Sequence, residues 1–149
     1  MRIGELVDHS GHSPYIIESR CSVDEAIDRL HRWPGSALVV SEQGVPVGIF
    51  TGSDVLRTYL RDRRVGFENV SLKDVMTPNP IMAGPDDDVP STLNMMLKAG
   101  INHLPVSDES GIIGILSIQE LMQHQVTVLD RELNDLKDYI ADLHDAGMD

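Results

Sequence analysis

Asp54 stands six residues after Gly48 and three after Thr51 in the run Gly48-Ile49-Phe50-Thr51-Gly52-Ser53-Asp54. A carboxylate at the start of a helix, facing a cleft, can accept two hydrogen bonds from the cis-diol of a ribose. Thr51 adds a hydroxyl, and the N–H groups of the helix start favour an anion such as a phosphate. Gly48 lets its strand pass close to a neighbour or a ligand. The same residue types also serve structure alone, with Asp54 capping its helix and Gly48 easing strand packing. The residues leave both uses open.

No other arrangement points to turnover. The six histidines form no His-x-x-x-His pair, no Cys-x-x-Cys is present, and Gly48 to Asp54 lacks the Gly-Lys-Ser/Thr ending of a P-loop. His9 and His12 could chelate a metal from a loop, but zinc would want further ligands, and they read as solvated. Cys21, the single cysteine, reads as a small structural residue before a helix, compatible with a reducing compartment. The basic cluster Arg61, Arg63, Arg64 reads as a solvated helix end that could also meet a phosphate. The expectation is therefore a protein that is not an enzyme and requires no metal or other cofactor.

The whole chain constrains partners. Its formal charge of −12 opposes sequence-independent binding to nucleic acid, which needs a surplus of Lys and Arg. No run approaches the roughly 20 apolar residues of a membrane span, and the N-terminus lacks a basic region followed by an apolar one. A cytoplasmic location is expected. With 149 residues the chain can bury one core, or two small ones packed together.

The elements that must hold Asp54 are set by an internal repeat. Residues 14–54 align without a gap on residues 80–120, at an offset of 66. Seven of the 41 positions are identical, among them Gly48/Gly114 and Val40/Val106, where chance gives about two or three. The apolar pattern is stronger: Val23, Ile27 and Leu30 recur as Val89, Leu93 and Met96, each at the i, i+4, i+7 spacing of a helix face. Each unit opens with a short extended run, Tyr15-Ile16-Ile17 or Ile81-Met82-Ala83. A helix follows, capped by Ser22 with Glu25 in the first unit and by Asp88 with Pro90 behind it in the second. Those helices stop near Trp33-Pro34-Gly35 and near Gly100. The hairpins Ala37–Val40 with Val47–Thr51, and His103–Val106 with Ile112–Ser117, come next. A last helix starts at Ser53 or Gln119. The predicted fold class is α+β, two β-α-β-β-α units in tandem, with sheets covered by helices.

This order resembles the cystathionine-β-synthase-type (CBS) domain, which occurs as tandem pairs packed into one disc. The run ending at Asp54 resembles the family's Gly-h-x-Thr/Ser-x-x-Asp signature, h being hydrophobic. Gly114-Ile115-Leu116-Ser117-Ile118-Gln119-Glu120 repeats it with Glu for Asp. Val75-Met76-Thr77-Pro78-Asn79-Pro80 and Gly100-Ile101-Asn102-His103-Leu104-Pro105-Val106 are also similar to runs common in the family. The resemblance covers about residues 1–125. It implies a stand-alone CBS pair, with a first domain over 1–62, a second over 63–125 and a helical tail over 126–149.

The resemblance also implies where a ligand sits. Gly48, Thr51 and Asp54 of the first unit would share a site with Thr77, Met82, Ile101, Asn102 and His103. A second, weaker site would join Ser117 and Glu120 to Ile16, Gly35 and Ser36, because Glu moves the carboxylate by roughly 1.5 Å. Ser53 stands where many relatives carry a basic residue, which argues against a highly charged triphosphate. The implied function is regulatory: an adenosyl effector (AMP, ADP, ATP, S-adenosylmethionine or NAD(H)) binds between the units, shifts their packing and signals to a downstream protein. The alternative is a ligand-free module for oligomerisation or partner docking.

Beyond the repeat, Met122, Val126, Leu129, Leu133, Leu136, Ile140 and Leu143 are spaced 4-3-4-3-4-3, a heptad seam. A helix packing back on its own disc and an intersubunit coil both fit that pattern. A homodimer is expected.

Overall fold

The computed structural model describes residues 1–7, 15–32, 37–61, 63 and 66–147. The first unit comprises β1 (Ile16–Glu18), α1 (Val23–Arg32), β2 (Ala37–Glu42), β3 (Val45–Thr51) and α2 (Gly52–Arg61). A short helix α3 (Leu72–Val75) and the two-residue strand β4 (Thr77–Pro78) lead into the second unit, which has α4 (Val89–Ala99), β5 (His103–Asp108), β6 (Gly111–Ser117) and α5 (Ile118–Asp145). The α+β order expected from the repeat is present.

The sheet of the first unit runs β1-β2-β3-β4, with β1 parallel to β2 and the other pairs antiparallel. In the second unit β5 and β6 form the hairpin, and the expected strand over 81–83 shrinks to one parallel bridge, Ala83 to Val106. Two hydrogen bonds hold it, Ala83 N–H to Pro105 O and Ser107 N–H to Ala83 O, 2.9 Å each. The next ladder bonds would need an N–H from Pro85 and, on the partner strand, from Pro105, where the first unit has the bond Val39 N–H to Tyr15 O, so the ladder cannot lengthen. The hairpins match in register at the repeat offset: Ala37 faces Thr51 as His103 faces Ser117, and both carry a bulge, at Val40/Ser41 and at Val106/Ser107.

Helix ends follow their local chemistry. The Asp88 carboxylate accepts from the Ser91 N–H at 2.9 Å, with Pro90 in the first turn. That hydrogen bond holds its pKa below the usual carboxylate range. Gly100 closes α4 in the left-handed conformation, φ 68°. At α1 the Ser22 hydroxyl accepts from the Glu25 N–H at 3.2 Å. The Glu25 carboxylate meets the Cys21 thiol, and burial together with that carboxylate pushes the thiol pKa up. Cys21 is thus no activated nucleophile. The expected stop at Trp33-Pro34-Gly35 lies outside the described residues.

Two apolar cores result, and equivalent residues fill them: Ile17, Val23, Leu38, Val40 and Phe50 in one; Ala83, Val89, Leu104, Val106 and Leu116 in the other. Each core also takes in the segment that precedes the other unit. Ile3 and Val7 are buried with the second unit, whereas Val70 and Leu72 are buried with the first. Backbone hydrogen bonds fix this exchange, Ile3 N–H to Asp87 O and Val23 N–H to Val70 O, both 2.8 Å. Packing therefore cuts across the sequence bounds 1–62 and 63–125.

Candidate functional site

Strand β3 passes directly into α2, so Thr51 stands at the N-cap and Asp54 three residues on. The Asp54 Oδ2 accepts from the Thr51 N–H at 2.9 Å and lies 3.4 Å from the Thr51 hydroxyl. Its Oδ1 accepts from the Arg57 guanidinium, one turn further along α2, and lies 3.5 Å from the Thr77 hydroxyl on β4. Asp54 is an N-terminal cap of the capping-box kind. Its side chain is 1% exposed, against 70% for Arg57.

A cavity of about 410 Å³ opens at this helix head, lined by Ile49, Thr51, Gly52, Ser53, Arg57, Thr77, Gly100, Ile101, Asn102 and His103. The second unit supplies its side through the turn after α4. Gly100 reverses the chain there, Ile101 N–H bonds back to Met96 O at 3.1 Å, and Asn102 O accepts from Ile118 N–H at 2.8 Å. His103, at the start of β5, is half-buried, and burial lowers its pKa, which favours the neutral ring at pH 7.

Five residues of the first expected site, Thr51, Thr77, Ile101, Asn102 and His103, therefore meet around one cavity from both halves of the chain. Asp54 lies next to two of them but is not among the lining residues. Gly48 and Met82 do not line the cavity either. Gly48 pairs with Pro78, and a Cβ there would meet the Met76 side chain and the Thr77 carbonyl, the latter at 2.9 Å. Its missing side chain thus admits a neighbouring strand. Met82 is half-buried elsewhere. Sequence reasoning missed Ile49, Gly52, Ser53, Arg57 and Gly100. Arg57 had a usable signal: it stands three residues after Asp54, on the same helix face.

The second expected site is built differently. Ser117 accepts from the Glu120 N–H through its hydroxyl, at 3.1 Å, and Glu120 is exposed. The carbonyl of Ile16 accepts from Arg29 Nη1 at 2.6 Å. Gly35 and Ser36 lie outside the described residues, as do His9 and His12. A further hollow, about 530 Å³, lies at the far end of β2 and β3 around Glu18, Arg20, Glu42 and Val45, and holds none of the expected residues. Among the described residues no three His, Cys, Asp or Glu side chains gather as a metal would require, and no helix is long and apolar enough to cross a membrane.

The tail does not fold back. Of the α5 seam, Met122, Val126, Leu129, Leu133, Leu136 and Ile140 are each 46–61% exposed, and Leu121 is the one buried residue of the helix.

The CBS domain family model matches residues 4–61 and 72–127. Among curated proteins, the meiotically up-regulated gene 70 protein of Schizosaccharomyces pombe is 33% identical over an alignment of 145 residues that covers 91% of this chain and 19% of that protein. The chain spans between about a fifth and about a half of the length of the first curated relatives it matches. The CBS domain pair of protein MJ0100, solved in complex with 5′-methylthioadenosine and S-adenosyl-L-methionine, has a TM-score of 0.73 at 22% identity, covering 85% of this chain and 97% of that one. CBSX2, solved in complex with AMP, has a TM-score of 0.70 at 20% identity, covering 85% and 97%.

Proposed function

The chain belongs to the CBS-domain family, with two CBS domains in tandem, and from that premise we propose that it is a regulatory module binding an adenosyl compound in the cavity at the head of α2. One observation carries this reading: Thr51 and Thr77 from one side and Ile101, Asn102 and His103 from the other converge on a single cavity of about 410 Å³. Asp54 lies beside that cavity with its carboxylate turned toward Thr51 and Thr77, close enough to take a ribose diol once a partner yields. Ile49 and Ile101 offer apolar surface to a base. A ligand touching both units changes their mutual packing only through its differential affinity for two arrangements, which is how it would signal to a downstream protein. The module performs no turnover, and the ligand is an effector and not a required cofactor. It works in the cytoplasm.

AMP and S-adenosylmethionine, bound in the two structural neighbours, head the panel to try. Thermal denaturation with AMP, ADP, ATP, S-adenosylmethionine and NADH should show at least one ligand that raises the melting temperature in a concentration-dependent way. If none does at millimolar concentration, the adenosyl reading fails. Product analysis of the same mixtures should find every ligand unchanged.

A second reading rests on α5. Counted as heptads, Val126, Leu133 and Ile140 occupy a positions and Leu129, Leu136 and Leu143 occupy d positions, so two of three a residues are β-branched and every one of these d residues is Leu. In a parallel coil that combination favours two strands. In the parallel arrangement Glu132 of one copy faces Lys137 of the other, twice by symmetry. We infer that the seam is covered by a second copy of this chain, which makes the module a homodimer whether or not it binds a ligand.

A further inference from the structure

The binding carboxylate and the cavity are joined by one cation. Arg57 lines the cavity and also donates to Asp54 Oδ1. Among the described residues no acidic side chain lines the cavity, and Arg57 is its one Lys or Arg, although the chain as a whole carries −12. The two oxygens of Asp54 differ in what they could release. Oδ2 is held by the backbone N–H and the hydroxyl of Thr51, both part of the helix cap. Oδ1 is held by Arg57 and, at 3.5 Å, by Thr77. Arg57 is mostly in water, so it can turn away without repacking the core, but a carboxylate as buried as Asp54 cannot be left short of donors.

Resting on the adenosyl-site reading, we propose that Arg57 makes this cavity selective for nucleosides carrying an anionic 5′ group. It does so by exchanging Asp54 for the phosphate as the ribose diol takes its place on Oδ1. A nucleoside 5′-phosphate supplies both halves of the exchange, hydroxyl donors for Asp54 and an anion for Arg57, with the N–H groups at Gly52 and Ser53 beside it. Adenosine and 5′-methylthioadenosine supply only the first half. S-adenosylmethionine brings a sulfonium cation close to where Arg57 must go. Ser53 therefore does not leave the cavity without a basic group; the basic group comes from the next turn of α2.

Calorimetry on the full chain at pH 7.5 and low salt, with AMP, adenosine and 5′-methylthioadenosine, tests this. AMP should bind at least ~10-fold tighter than either neutral compound, the scale expected of a charge-assisted contact to phosphate. Arg57→Gln should bring the three affinities within about threefold of one another by weakening AMP, and Arg57→Lys, which keeps the charge, should retain part of the preference. Equal affinities in the wild type, or an undiminished AMP preference in Arg57→Gln, overturn the role of Arg57 while leaving the adenosyl site in place. Absence of binding by all three ligands to a wild-type chain folded by circular dichroism sinks the underlying site and the selectivity with it.

Discussion

Thr51 and Asp54 close the head of α2 on each other, the Thr51 N–H donating to the Asp54 carboxylate at 2.9 Å, whereas at the equivalent positions of the second unit the polarity is reversed and the Ser117 hydroxyl accepts from the Glu120 N–H at 3.1 Å. The acid caps its own helix in one unit and leaves capping to the hydroxyl in the other.

Asp54→Ala and Glu120→Ala should therefore differ in stability as well as in binding. Removing the buried Asp54 side chain strips the cap and leaves the Thr51 N–H unpaired, a loss of about 1–3 kcal/mol. Glu120 is exposed, and its truncation should stay within about 0.5 kcal/mol. Urea denaturation of both variants measures this. In calorimetry with AMP, Asp54→Ala should lose at least ~10-fold in affinity and Glu120→Ala much less. Equal losses of affinity would mean equivalent sites.

Gly48 and Gly114 occupy matching positions but should not be equally sensitive. An added Cβ at Gly48 meets the Thr77 carbonyl at 2.9 Å as well as Met76, while at Gly114 the three nearest atoms all belong to the Val7 side chain. Backbone cannot yield without disturbing β4, so Gly48→Ala should cost about 1–3 kcal/mol. Gly114→Ala should be relieved by a second change, Val7→Ala. A thermodynamic cycle by chemical denaturation reads the coupling; an undestabilised Gly48→Ala would show that β4 shifts freely.

His103 predicts the direction of a pH effect. Burial lowers its folded pKa below the ordinary value near 6.5, so between the two values the unfolded chain binds more proton. Its contribution to stability is complete above pH ~6.5 and falls as pH drops toward the folded pKa. Melting temperatures of wild type and His103→Asn between pH 5 and 8 should diverge in that window, with the wild type losing more on acidification. Parallel curves would remove His103 as the cause.

The α5 seam should set the assembly state. Replacing Leu129 and Leu136 by Glu puts like charges into the middle of the coil and should convert a dimer to a monomer by light scattering at micromolar concentration, with far-UV circular dichroism showing the body of the fold intact. A wild-type chain that is itself monomeric would end the second-copy assignment.

How much of this was legible follows from the range of each interaction. The repeat, the hairpins, the Asp88 cap and the Gly100 stop are decided within a few residues, by periodicity, missing N–H groups and left-handed glycine, so the sequence alone carries them. The Gly48-to-Asp54 run likewise announced a helix-head carboxylate, and the family pattern named five of the residues that line the cavity.

Other features depended on contacts between segments far apart in the chain. Local pattern cannot show that Ile3 and Val7 are buried with the second unit while Val70 and Leu72 are buried with the first, because each segment is merely apolar until a partner core exists. Nor does spacing tell whether a heptad seam folds back or stands exposed. The use of Asp54 was undecided for the same reason: capping and diol recognition call for the same residue at the same place. Only the folded chain, by bringing Thr77 from β4 and Arg57 from the next turn onto one oxygen, decides that the carboxylate is already paired.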